Sequence, residues 1–295
     1  MRAALALVLA AAALVAGCGS GADTSTSTAP AAAGTAEGFD ADAAWALIRD
    51  QVAVGQRPAG SPQLQKLAED LRAQLPNGQF EPIPGEPGLR NIVGTLPGTS
   101  PAIVIGAHYD TLTKPKGFVG ANNGAAGSAI VIEAARALAA EQRPAGSPQI
   151  RFVLFDGEEP AEGLPAEQTS FYHTGLRGSR AYVEAHPNET GAMILLDYVA
   201  NKGLKLPREA TSTPPLWAEL VAAADEVGAG DVFVKGTGPS IVDDHTPFLK
   251  SGVPAIDLID WTYPGHSLAD GIDKLSRASV QAVGASVVQL ALNLG

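Results

Sequence analysis

The chain has 295 residues, a formal net charge of −11 and a hydrophobic fraction of 45%. That acidity argues against a nucleic-acid partner, whose phosphates demand a basic patch, and against attachment to anionic lipid by charge. The apolar fraction supports a proper core. The length would allow two domains, but no second linker interrupts the body, so one is expected.

The chain opens with "MRAALALVLAAAALVAGC". One basic residue, Arg2, precedes an apolar run and small residues before Cys18. This pattern reads as a secretory signal over residues 1–17. The apolar run, residues 3–16, is too short for a spanning helix, which needs about 20 residues. The ending "LVAGC" resembles a bacterial lipobox, which would make Cys18 the lipidated first residue of the mature chain. Cys18 is the only cysteine, so an internal disulfide is excluded. The expected location is the bacterial cell envelope, outside the cytoplasm, with the lipid on Cys18 as the sole membrane attachment. Residues 18–38, rich in Ser, Thr, Ala and Gly after the cysteine, read as a flexible tether. The folded body is expected over residues 39–295.

Within the body, "FDADAAWALIRDQVAV" predicts a helix capped by Asp40, with Trp45, Ile48 and Val52 on one side. "SPQLQKLAEDLRAQL" predicts a second, with Ser61 as N-cap, Pro62 in the first turn and Leu64, Leu67 and Leu71 as its buried stripe. Short apolar runs follow: "NIVGTL", "AIVIGA", "IRFVLF", "AMILLD" and "PAIDLID". Such runs suit strands buried on both faces. Helical segments at 124–140, 177–186, 214–228 and 275–293 separate most of them. The alternation predicts an α/β fold, a mixed and mostly parallel central sheet with helices on both faces in three layers. The octapeptide "QRPAGSPQ" occurs at 56–63 and again at 142–149 with different flanks, and reads as two Pro/Gly-rich loops.

In open α/β sheets, sites form beyond the carboxyl ends of strands. Here "AIVIGAHYD" ends in His108 and Asp110, "IRFVLFDGEE" in Asp156, Glu158 and Glu159, and "AMILLD" in Asp197, while "PAIDLIDWTYPGH" runs on to His266. Each is weak alone, since a strand-end His or Asp is more often a satisfied hydrogen-bonding group. Together they point to a cation, because buried carboxylates without partners are costly. Imidazole and carboxylate are the zinc ligands when cysteine is absent. Adjacent Glu158 and Glu159 project differently, so one can ligate while the other moves protons.

The motifs "GAHYDT", "GANNGAAG", "FDGEE", "GLRGSRAY", "ILLD", "DDHTPF" and "GHSLAD" occur in the order found in zinc-dependent aminopeptidases and glutaminyl-peptide cyclotransferases, which share one fold. The chain resembles that group over residues 39–295, and "GLRGS" and "DDHTPF" lean towards bacterial cyclotransferase-like proteins. For a two-zinc aminopeptidase, the resemblance implies His108 and Asp197 on one ion, Glu159 and His266 on the other, a bridging aspartate, and Glu158 as general base. For a one-zinc cyclotransferase, it implies Glu159, His266 and the same aspartate as ligands. Glu158 would then shuttle a proton, with Asp197 and Asp243 shaping its hydrogen-bond network. Asp110 would orient His108.

Two departures stand out. The bridging aspartate falls on Asn123, a neutral amide that cannot join two cations through two anionic oxygens. The expectation is one weakly held zinc ion (Zn2+), with Asn123 as a poor third ligand and no second ion. The position before His266, often Trp in related cyclotransferases, is Gly265; Trp261 and Tyr263 could line the pocket instead. The function expected is cyclisation of N-terminal glutamine on a peptide with a free N-terminus, releasing ammonia. A zinc aminopeptidase, and a binding protein with weakened catalysis on the same fold, are the alternatives.

Overall fold

The structure is a computed structural model that describes residues 38–161 and 170–295. The signal, lipid and tether readings of residues 1–37 lie outside the described residues.

Helix α1, Ala41–Val54, begins where Asp40 turns its carboxylate back on the chain, accepting from the backbone N–H groups of Asp42 and Ala43 at 2.8 and 3.1 Å. Helix α2, Pro62–Gln74, has Ser61 as its cap and proline at its first position. Both starts follow from residue chemistry: a side-chain oxygen meets an orphan donor, and proline has no N–H to lose there. Strands β1 (Gln79–Pro82), β2 (Arg90–Leu96) and β3 (Thr99–His108) follow, then α3 (Gly127–Ala140), β4 (Pro148–Phe155), α4 (Phe171–Thr174), α5 (Arg177–Ala185) and β5 (Thr190–Asp197). The remainder is β6 (Leu206–Arg208), α6 (Pro214–Glu226), β7 (Phe233–Thr237), α7 (Thr246–Lys250), β8 (Ala255–Ile259) and α8 (Arg277–Asn293).

The main sheet has the order β1-β2-β4-β3-β5-β8. β1 and β2 pair antiparallel, as do β2 and β4, while β4-β3, β3-β5 and β5-β8 all pair parallel. The sheet is therefore mixed and mostly parallel, as the apolar runs predict. Alternate residues feed two cores. Ile103, Ile105 and Ala107 of β3, with Phe152 and Leu154 of β4 and Ile194 and Leu196 of β5, pack with α1, α2, α3, α6 and α8. Val104, Val153, Phe155, Met193 and Leu195 face the other way, against Tyr182 of α5 and Phe248 of α7. There the rings of Phe155, Tyr182 and Phe248 pack with centroids 5.9–6.2 Å apart. Full burial is worth about 1.5–3 kcal/mol for each such aliphatic or aromatic side chain, which is why strands buried on both faces read as unbroken apolar runs.

The differences from expectation are local. The helix expected from residue 124 starts at Gly127, because Asn123 and Gly124 have non-helical backbone angles and Gly124 has φ +90°. The first octapeptide copy places Arg57 in full burial, donating to the carbonyls of Tyr109, Val119 and Gly120; Arg143 of the second donates to Pro97 and Pro148 in a more exposed loop. One peptide thus serves two different local structures. Strands β1 and β6 are only four and three residues long, and the last three residues of β7 are exposed, so none of them carries a sequence signal.

The consequence for function is directional. Four parallel strands put their carboxyl ends on one edge, and the acidic and imidazole positions follow those ends.

Candidate active site and metal centre

His108 is the last residue of β3, and Asp110 follows two residues on. Asp156, Glu158 and Glu159 follow β4, Asp197 closes β5, and His266 lies in the loop after β8. Asp243 precedes α7. A cavity of about 320 Å³ opens among them, lined by Asn123, Glu158, Asp197, Asp243 and His266, with Tyr198, Phe171, Ile241 and Trp261 as aromatic or aliphatic wall.

Asp110, fully buried, organises the acidic turn. Its two oxygens accept the backbone N–H groups of Glu158 and Glu159 at 3.2 and 3.3 Å, and Oδ1 lies 3.4 Å from Nδ1 of His108. His108 is thereby caged: Glu158 Oε2 is 3.8 Å from Nδ1 and Asp197 Oδ1 is 3.6 Å from Nε2. Burial alone would lower the pKa of this ring, but Glu158, Asp110 and Asp197 outweigh it and raise it well above the ordinary histidine range. Burial pushes Glu158 up strongly, reinforced by Glu159, Asp243 and Asp244 and opposed by His108. It pushes Glu159 to about 8 and Asp243 to about 6. Of these, Glu158 faces the cavity with its carboxyl displaced towards neutrality, which makes it the candidate for proton transfer.

On the other side of the cavity, Nε2 of His266 lies 3.6 Å from Oε1 of Glu159, with the imidazole half exposed. Asn123 is buried and lines the same cavity. Its Nδ2 donates to Oε1 of Glu159 at 2.5 Å, so an amide contact fills the place where the resemblance puts a bridging anion. Gly124 lets the chain turn here: a Cβ on it would lie 2.6 Å from the carbonyl oxygen of Asp110.

Trp261 is 54% exposed and forms part of the cavity rim. Tyr263 is not among the lining residues; it stands behind Tyr198, ring centroids 5.7 Å apart, and donates its hydroxyl to Asp270 at 2.7 Å. Asp270 is a residue that sequence reasoning missed. Its oxygens accept the backbone N–H groups of Asn122 and Asn123 at 2.8 and 3.0 Å, tying the His266 loop to the Asn123 turn. It lay inside the quoted motif "GHSLAD" without a role. Arg57, Tyr198 and a fully buried group of Glu209, His245 and Asp257 were also missed, because nothing local marks their neighbours.

The donor set can be tested against zinc on its unsatisfied atoms. Both ring nitrogens of His108 and Oε2 of Glu159 are buried without a hydrogen-bond partner. Buried polar atoms are rarely left so; a cation would satisfy Oε2 of Glu159, whereas the nitrogens of His108 face the carboxylates of Asp110, Glu158 and Asp197 at 3.4–3.8 Å. Among the described residues, no three His, Cys, Asp or Glu side chains gather closely enough to hold an ion. Glu159 and His266 supply two strong donors, and rotation of the Asn123 amide would present Oδ1 as a third. With that rotation, one ion would have two strong donors and one neutral donor.

A mixed sheet, parallel strand ends rich in acid and imidazole, and a cavity at that edge define an exopeptidase-like α/β protein. The family model of Peptidase family M28 matches residues 91–291. The chain belongs to that family. It is 28% identical to the glutaminyl-peptide cyclotransferase of Bos taurus over 255 residues, covering 74% of this chain and 69% of the bovine protein. The crystal structure of an Acidobacteriales bacterium glutaminyl cyclase is similar with a TM-score of 0.72 and 28% identity, over 87% of this chain and 94% of that one. A leucine aminopeptidase precursor from Bacteroides thetaiotaomicron is similar with a TM-score of 0.73 and 26% identity, over 86% and 97%.

Proposed function

We propose that the protein is a glutaminyl-peptide cyclotransferase acting on peptides with N-terminal glutamine. The observation that carries this reading is the Asn123–Glu159 contact: an amide at the bridging position removes the anion that a two-metal peptidase site needs, while Glu158 remains on the cavity wall. The similarity to glutaminyl cyclases supports it.

Zinc held by Glu159, His266 and the Asn123 amide oxygen would polarise the side-chain carbonyl of the substrate. The chain's own residues do the rest. Attack of the α-amine on the glutamine Cδ forms the ring C–N bond, and collapse breaks the bond to the side-chain nitrogen. Glu158 takes a proton from the attacking amine and returns it to the departing one, so ammonia leaves with no net proton change. Asp197 and Asp243, buried on the same cavity wall, shape the hydrogen-bond network around Glu158 while it carries that proton. The acidic wall suits an entering α-ammonium group.

An aminopeptidase is the second reading, favoured by one observation. His108 and Asp197 remain 3.6 Å apart, in the pairing the resemblance assigns to another ion. The binding-protein reading rests on Asn123 and Gly265 alone. The proposed setting is the bacterial envelope, through the signal-like and lipobox-like residues 1–18.

Ammonia release from glutaminyl peptides, run beside aminoacyl-arylamide hydrolysis with and without added zinc, tests the reading. Cyclisation without arylamide hydrolysis is the expected result. Arylamide hydrolysis alone would replace it with the peptidase, and activity on neither with the binding protein.

A further inference from the structure

The groups assigned so far on the cavity wall are mostly acceptors of protons or of metal. A carbonyl oxygen that gains charge during amine attack needs a donor, and the candidates on the wall are few. The Asn123 amide N–H is engaged by Glu159, and Glu158, Asp197 and Asp243 are already assigned to the proton shuttle and its hydrogen-bond network. Ser240 is exposed, and Trp261 is 54% exposed at the rim. Tyr198 is the buried hydroxyl on that wall, 4% exposed.

Three features show that its position is built. Tyr198 follows Asp197 directly and adopts φ +46°, a left-handed conformation uncommon for a bulky residue and typical of functional positions. The carboxylate of Asp197 accepts its backbone N–H at 2.9 Å and fixes that turn. The ring is braced by Tyr263 on one side and His266 on the other, centroids 5.7 and 6.2 Å away. The third feature is Gly265. A Cβ there would lie 2.5 Å from Cζ of Tyr198 and 2.7 Å from Cε1. The phenol therefore occupies the space that any side chain before His266 would need, so this position of Tyr198 requires glycine at 265. Among the described residues, nothing hydrogen-bonds to the Tyr198 hydroxyl.

We propose that Tyr198 is a catalytic residue whose hydroxyl donates a hydrogen bond to the substrate carbonyl oxygen as attack proceeds, supplying from the end of β5 a group that the His266 loop lacks. This rests on the glutaminyl reading for its substrate, though the same oxygen exists in an aminoacyl amide. The donor forms and keeps its O–H bond throughout; no proton is transferred from it.

The test is Tyr198→Phe, which keeps the ring and removes one oxygen. The expected result on glutaminyl peptides is a fall in kcat of about a hundredfold, the scale of losing one oxyanion donor, with KM changed by less than about threefold. Calorimetry gives a readout independent of turnover. A peptide beginning with glutamine is compared with one beginning with homoleucine, which has a similar shape without the amide. The preference for glutamine should shrink by about three- to tenfold in the variant, the worth of one neutral hydrogen bond. An unchanged kcat overturns the proposal, and so does equal weakening of both peptides, which would make Tyr198 only a wall. If the wild type cleaves arylamides and not glutaminyl peptides, the cyclase reading fails, and Tyr198 is judged by the same kcat loss on the arylamide. Turnover of neither by the wild type ends both. Gly265→Ala, which leaves the hydroxyl in the chain but displaces the ring, should lower kcat in parallel.

Discussion

The amide nitrogen of Asn123 donates to Oε1 of Glu159 at 2.5 Å, joining the turn before α3 to the turn after β4. This single neutral contact stands where two cations would require an anion. It sets the metal expectation: purified protein titrated with zinc should take up one equivalent, weakly. Two tightly bound equivalents in metal analysis would show that the amide is no obstacle.

Asn123→Asp should reverse the balance. Without metal, the second carboxylate loses the hydrogen bond and faces Glu159, and the melting temperature should fall. With zinc, affinity should rise at least about tenfold, because even residues that only support a ligand change metal affinity by about 10–100-fold. Melting with and without zinc, together with a zinc titration, measures both halves. Unchanged affinity would remove Asn123 from the ligand set.

Asp110→Asn should damage the site without touching the cavity. An amide can accept only through one atom, so one of the backbone donors of Glu158 and Glu159 would be left buried and unpaired. The expected cost is about 1–3 kcal/mol of stability, with turnover lowered by about 10–100-fold. Chemical denaturation and steady-state kinetics would show it; a variant with native stability and activity would refute the role.

Acid stability should depend on Glu209. Burial would push this carboxyl up, but hydrogen bonds from His245, Thr211 and Ile241 outweigh it and bring it down to about 2. A lowered folded-state pKa gives stability that is present above the unfolded value, near 4.5, and is lost as pH falls through about 2. Unfolding free energy should therefore decline between those limits. Glu209→Gln should flatten that part of the profile and lower stability at pH 7. An unaltered slope below pH 4.5 would dismiss this account.

The sheet was legible because its central strands are buried on both faces, which turns "AIVIGA" and "IRFVLF" into unbroken apolar runs. Asp40 and Ser61 were legible because capping is a local reaction between a side chain and the next turn. His108, Glu158, Glu159 and Asp197 stood out because strand ends in a parallel sheet share one edge, so position along the chain becomes position in space. Asp270 was invisible as a partner of Asn123: 147 residues separate them, and only the folded loops bring them together. The Gly265–Tyr198 pair was hidden in the same way. The sequence showed a missing side chain, and only packing shows which ring took its volume.

The order of the parallel strands has a temporal consequence during synthesis. A chain elongated through β5 already carries His108, Glu158, Glu159 and Asp197, but β8 and the imidazole of His266 emerge near the end. A partly made chain therefore carries these acids and the His108 imidazole without the His266 imidazole that stands 3.6 Å from Glu159. The complete set of candidate site residues therefore exists only once the polypeptide is almost complete.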